Sequence, residues 1–264
     1  TLQDFIETAY SKEEVNSWQT DMLSVKVGEK NYTVTPAMLM GLYCLLQQED
    51  SRRHILEGGG IRFADVKNKG RVTRYTNTFI SLDEAGELVG NLTDRQKEVA
   101  ESIRDFMAST GAEWGNEISM IRFGYRAFGI DNYYPIHTIA AGSDYEAQQK
   151  RANIYALLNK SFTKERTPHA NNAVVGDDIF EVFANHMSEM ALYNAWALPV
   201  IDTIRWFNYK ERMDIEAGID EWSVHDMLRL AYGENADQYI RRLLESINGQ
   251  YAGGLSEGIA FMNS

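Results

Sequence analysis

The longest regular pattern of apolar positions in the chain lies between Asp178 and Lys210. Phe183, Met187, Met190, Asn194, Ala197, Ile201 and Ile204 recur at steps of three and four, the spacing of one helix face. Val182, Ala191, Leu198 and Phe207 widen the stripe, so neighbours are expected on more than one side. Asp178 with Glu181 three residues on has the form of a capping box, which satisfies free N–H groups at a helix start. Pro199 removes one backbone hydrogen bond and predicts a bend around Ala195. The stretch reads as a single kinked helix, roughly 50 Å long, around which the rest is organised.

The remaining pattern is also mainly helical. Leu2, Phe5, Ile6, Ala9 and Trp18 predict an amphipathic helix over 2–18. Leu23, Val25 and Val27 alternate with polar residues, Gly28 to Asn31 turns, and Tyr32 and Val34 return, which predicts a β-hairpin. Thr35-Pro36 starts a helix with core positions Met38, Leu39, Leu42, Tyr43, Leu45 and Leu46, and Cys44 among them reads as a small buried hydrophobe. The helical pattern breaks over 49–80, where Gly58-Gly59-Gly60 precedes a short strand pair turning near Asn68-Lys69-Gly70. Helices are expected at 82–89 and from Thr93, whose partner Gln96 forms a second capping box, with a stop or bend at Gly111. Trp114, Ile118, Ile121, Tyr125 and Phe128 predict a buried seam beyond it, and Gly115 and Gly124 suit close helix approach. Pro135 makes 130–138 an extended connector, Ser143 to Leu158 is helical, and 161–176 is a polar loop. Helices at 224–232, stopped by Gly233, and at 236–247 follow. The fold class is mainly α: a multi-helix bundle around one long kinked helix, with one or two small β-hairpins in the N-terminal third. It forms a single module over 1–264, with a sub-boundary near 81–92 between an α+β part and a helical part.

Composition narrows the function classes. The net charge of −12 argues against general affinity for nucleic acid or anionic membrane. One cysteine allows no internal disulfide and no cysteine-based zinc site, which favours a reducing compartment. No apolar run reaches the length needed to cross a bilayer, so no membrane partner is expected. The sequence opens inside a helical pattern and ends as LSEGIAFM begins another, so a module of a longer polypeptide is expected.

Local chemistry is sparse. From Ser51 to Ile80, Arg52, Arg53, Arg62, Lys67, Lys69, Arg71 and Arg74 face only Glu57 and Asp65, a net +5 in an acidic chain. Arg52, Arg53, Lys67, Lys69, Arg71 and Arg74 are therefore the candidate nucleic-acid contacts, against a solvated hairpin that balances acidic helices. The triple glycine is no phosphate loop, because the Lys-Ser/Thr that completes one is missing. His186 and Glu189 share a helix face but lack a second helix of ligands, so His186 reads as a satisfied interior histidine and no metal is expected. If the 130–138 and 161–170 connectors lie side by side, Tyr133, Tyr134, His137, Lys164 and Arg166 would line a cationic pocket for phosphate or carboxylate. No nucleophile elbow, dinucleotide fingerprint or Walker sequence occurs, and no cofactor is expected.

Three stretches carry a resemblance: GAEWGNEISMIRFGYRAFGIDNYYPIHT, SFTKERT and DIFEVFANHMSEMALYNAWALPVIDTIRWFNYKE. Together they resemble segments of the very large multidomain polyvalent proteins of bacterial phages and integrative mobile elements. Similar stretches there sit beside helicase- or methylase-like domains. The resemblance implies a passenger module whose partners are the other domains of the same polypeptide, working in the bacterial cytoplasm or carried with a virion. It brings no catalytic residue, and places Tyr133, Tyr134, Pro135, His137, Lys164 and Arg166 in its most recognisable parts. Three functions follow as expectations: a non-enzymatic interaction scaffold, a nucleic-acid contact through 52–74, or an anion-handling hydrolase or transferase at the two connectors.

Overall fold

The computed structural model describes residues 1–63, 66–67, 71–72, 79–129, 132–138, 172–213, 220–239 and 242. They are mainly helical, with four two-stranded sheets. One compact unit holds the described residues up to Met190, and a second holds those from Ala191 onward, so the division falls inside the long helix.

The first unit opens on two helices where the apolar pattern suggested one: α1 (Leu2–Ala9) and α2 (Lys12–Thr20). The break lies at Tyr10-Ser11, because Ser11 and Glu14 form their own capping box and restart the helix. The expected hairpin forms as β1 (Leu23–Val27) and β2 (Lys30–Val34), with Val25 opposite Tyr32; its turn is shorter than Gly28–Asn31, because Lys30 and Asn31 pair with Val27 and Lys26. Gly28 turns it at φ 58°, a conformation that glycine adopts without penalty.

Thr35 caps α3 (Pro36–Gln47), its hydroxyl accepting from Met38 N at 3.3 Å. This helix is apolar all round, and every residue from Pro36 to Leu42 is buried. It, more than the long helix, is the centre of the first unit. Next comes α4 (Glu49–Glu57), a helix in a stretch where the pattern suggested none. The short strands β3 (Ile61–Phe63), β4 (Val66–Lys67) and β5 (Arg71–Val72) follow, the last two forming the expected antiparallel pair. Helices α5 (Leu82–Val89) and α6 (Asp94–Phe106) both start on capping boxes, at Ser81 and Thr93.

Gly111 does not stop the chain. Met107–Gly111 is a π-helical turn that passes directly into α7 (Ala112–Phe123). The expected seam on α7 is corrected here: Ile118 is buried, but Ile121 and Tyr125 are 67% and 61% exposed. The helix ends at Gly124, φ 77°, and the chain folds back over a polar face. Asn116 donates to Phe128 O at 2.7 Å and accepts from Phe128 N at 2.9 Å. Ser119 Oγ donates to Tyr125 O at 3.0 Å and accepts from Ala127 N at 3.1 Å. These two buried side chains, not the aromatic spacing, decide which side of α7 faces inward.

Strand β6 (Val174–Gly176) pairs in parallel with β3 and leads into α8 (Ile179–Asn208). Asp178 caps α8, accepting from Phe180 N at 2.7 Å and Glu181 N at 3.3 Å. Ile179, Val182, Phe183, Met187 and Met190 are buried in the first unit. Phe183 meets Phe5 and Phe106 at ring separations of 5.7 and 6.0 Å. Gln19 donates to Asp178 Oδ2 at 2.8 Å, and Tyr10 and Trp18 pack on Phe180.

In the second unit α8 continues through Pro199, with Tyr193, Ala197 and Val200 buried. Ala191, expected in the core, is exposed; the inward face there is set by Tyr193 instead. The side chains of Ile204 and Phe207 lie outside the described set. An antiparallel pair that sequence reading missed, β7 (Lys210–Met213) and β8 (Asp220–Ser223), precedes α9 (Val224–Tyr232). Ser223 and Asp226 cap α9, and Gly233 ends it. The expected helix 143–158 lies outside the described residues. No described helix is long and apolar enough to cross a membrane.

Candidate functional site

Within the first unit, side chains of several elements converge on the short run from Asn172 to Phe180. Val174 N donates to Gly60 O at 2.9 Å, and Val175 N donates to His137 O at 2.8 Å, so β6 is held on both edges. The triple glycine explains itself here: a Cβ on Gly59 would fall on the backbone of Asn172. His54, buried on α4, donates from Nε2 to Asn172 O at 2.6 Å; a carbonyl can only accept, so Nε2 carries the proton. Gly41 on α3 serves the same approach, with the Asp177 carbonyl 2.7 Å and the Tyr134 hydroxyl 3.2 Å from where a Cβ would stand.

The connector 132–138 runs antiparallel to this segment, bridging Thr138 to Val174. At one end His137 Nδ1 lies 2.9 Å from Asp177 Oδ2. The carboxylate orients the imidazole, a pairing that serves structure or proton transfer equally well. At the other end the Tyr133 ring lies 5.3 Å from the buried His186 ring. Burial pushes the Asp178 carboxyl up from its ordinary value, against the pull of its bonds from Gln19, Phe180 and Glu181.

Of the five residues expected to form an anion pocket, Tyr133 and His137 flank the connector and are half-buried. Tyr134 is buried, with its hydroxyl in the space that Gly41 leaves on α3. Lys164 and Arg166 lie outside the described residues, so their convergence with His137 is not defined. Among the basic candidates, Arg52 and Arg53 are exposed on α4. Lys67 sits directly opposite Arg71 in the β4–β5 register, and Lys69 and Arg74 lie outside the described residues. Asp177 was missed by sequence reasoning; its only signal is the Asp-Asp pair before a helix, where one acid caps and the other is left for His137.

A small pocket opens beside the π-turn, with free volume of about 20 Å³, enough for one water-sized guest. Met107, Ala108, Gly111, Tyr133, His186 and Met190 are among its lining residues. On the outer side of α7, Met120, Ile121, Phe123 and Tyr125 are all exposed within six residues. Arg122 lies 4.7 Å over the Phe123 ring, and Arg126 pairs with Glu113. Among the described residues no three His, Cys, Asp or Glu side chains converge on a common point. Compared with known proteins, the chain matches no family model, no curated protein and no solved structure.

Proposed function

We propose that the chain is a non-enzymatic interaction module of a large phage or mobile-element protein. In that reading it docks against another domain of the same polypeptide in the host cytoplasm or the virion. The observation that carries it is the exposed run Met120, Ile121, Phe123 and Tyr125, reached at the end of α7 where Gly124 turns the chain. Methionine, aromatic residues and arginine are the types enriched where proteins meet, and a cluster of them in water is a liability unless something covers it. The resemblance of 111–138 and 178–211 to polyvalent-protein segments supports the setting. A photo-crosslinking residue at position 123 of the full gene product should capture a neighbouring domain. The same probe at exposed Glu87 is the control. Equal yields at the two positions would overturn the proposal, as would an unchanged assembly after Ile121→Asp with Phe123→Asp.

A second reading, contact with nucleic acid, draws support from the β4–β5 register. It pairs Lys67 with Arg71 within the basic 52–74 stretch, whose residue types suit phosphate contact. Salt-sensitive retardation of single- or double-stranded DNA, weakened by Lys67→Ala with Arg71→Ala, is the expected result. Binding that ignores salt or both substitutions removes this reading.

A further inference from the structure

We propose that the pocket beside the π-turn is a binding site for one soft monovalent cation, Cu(I), held by His186, Met190 and Met107. The proposal goes beyond the interaction reading and does not depend on it. His186 and Met190 stand four residues apart on α8, which puts both on one face. Met107 comes from the opposite wall, at the first position of the π-turn. All three line a single pocket of about 20 Å³, a volume suited to one ion or water-sized guest. Single-turn π-bulges recur at functional sites, because the extra residue re-aims side chains that an α-helix would stack.

The opposite wall is built to admit these donors. Ala108, Gly111, Ala112 and Gly115 follow helical spacing, and the first three line the pocket. A Cβ at Gly111 would stand 3.7 Å from His186 Nε2 and 3.4 Å from Met187 Sδ, so the imidazole edge and a further sulfur converge on that glycine. At Gly115 a Cβ would come within 2.8 Å of the Met190 methyl and of the Phe128 ring. Small residues here give the His186 and Met190 side chains their room.

The donor set selects the guest. Thioether sulfur is soft and uncharged, and with imidazole it favours Cu(I) over Zn(II) or Mg(II), which prefer thiolate, imidazole and carboxylate or oxygen. The two thioethers carry no charge, and a monovalent guest brings a single positive charge into the pocket, less costly to bury than two. Tyr133 beside His186, and Phe128, add aromatic surface to the lining.

The test is an anaerobic Cu(I) titration of the intact chain against a chromophoric Cu(I) chelator. One equivalent should be withdrawn. Met107→Leu with Met190→Leu, swaps that conserve volume and keep the fold, should weaken that binding by at least about tenfold. Met120→Leu, at an exposed methionine, should change nothing. Independently, Ag(I) added to protein labelled at the methionine methyls should shift Met107 and Met190 and leave exposed Met22 and Met120 in place. The proposal is overturned if no equivalent is withdrawn, if the double variant binds as the parent does, or if only the exposed methyls respond.

Discussion

Replacing Gly41 by alanine sets two effects of opposite sign against each other. Alanine favours a helix interior over glycine by about 1 kcal/mol, so on propensity alone the variant would be more stable. The structure opposes this, because the new Cβ would stand 2.7 Å from the Asp177 carbonyl oxygen. That oxygen belongs to backbone and cannot rotate away. Its neighbours are fixed by the bond from Val175 N to His137 O and by the Asp178 cap. Overpacking of this kind costs roughly 1–3 kcal/mol. The net expectation for Gly41→Ala is therefore a loss of about 1 kcal/mol, reaching 2 at the upper end. Gly86 is the internal control: it lies in the interior of α5 with nothing within 4 Å of its would-be Cβ. Gly86→Ala should gain up to about 1 kcal/mol. Urea unfolding followed by far-UV circular dichroism separates the two, since the midpoints should move in opposite directions at similar slope. If Gly41→Ala matched or exceeded the parent while Gly86→Ala gained as expected, the close approach of α3 to Asp177 would be refuted.

Three further outcomes follow from buried polar groups. Tyr32 is buried with its hydroxyl unpartnered, so Tyr32→Phe should raise stability by about 1 kcal/mol, and a loss in the same urea assay would contradict that. Asp178 has its carboxyl raised by burial, so the folded state holds that proton more tightly than the unfolded chain does. Its contribution to stability is full below the ordinary value of 3.8 and declines as pH rises through the raised one. Asp178→Asn keeps a capping side chain and should flatten that decline in a pH series of unfolding midpoints; an unchanged slope refutes the assignment. Cys44 is fully buried, and burial pushes its thiol well above the ordinary range. It should react with a disulfide reagent only after denaturant is added, and fast labelling of the native protein would place it elsewhere.

Local signals were legible to the extent that their partners are close in sequence. Ser81, Thr93 and Asp178 each satisfy N–H groups two or three residues away, and each starts a helix where the pattern placed one. Ser11 carried the same signal with Glu14 and was overlooked under a continuous apolar stripe. Ile121 and Tyr125 failed for another reason. Their spacing matched a helix face, but Asn116 and Ser119 bind a returning chain and turn that face outward. Of the candidate site, Tyr133 and His137 were visible in an unusual connector, whereas Asp177 and the pocket around His186 were not.

The sequence by itself determined the helical class, the first hairpin, the caps and the apolar positions of α3 and early α8, because these depend on spacings of two to four residues. Only the tertiary structure decided that Gly41 and Gly59 admit the backbone at Asp177 and Asn172, that β3 pairs in parallel with β6, and that His54 reaches a carbonyl 118 residues away. Such contacts need the whole chain to close first, and no short-range pattern records which loop returns to which strand.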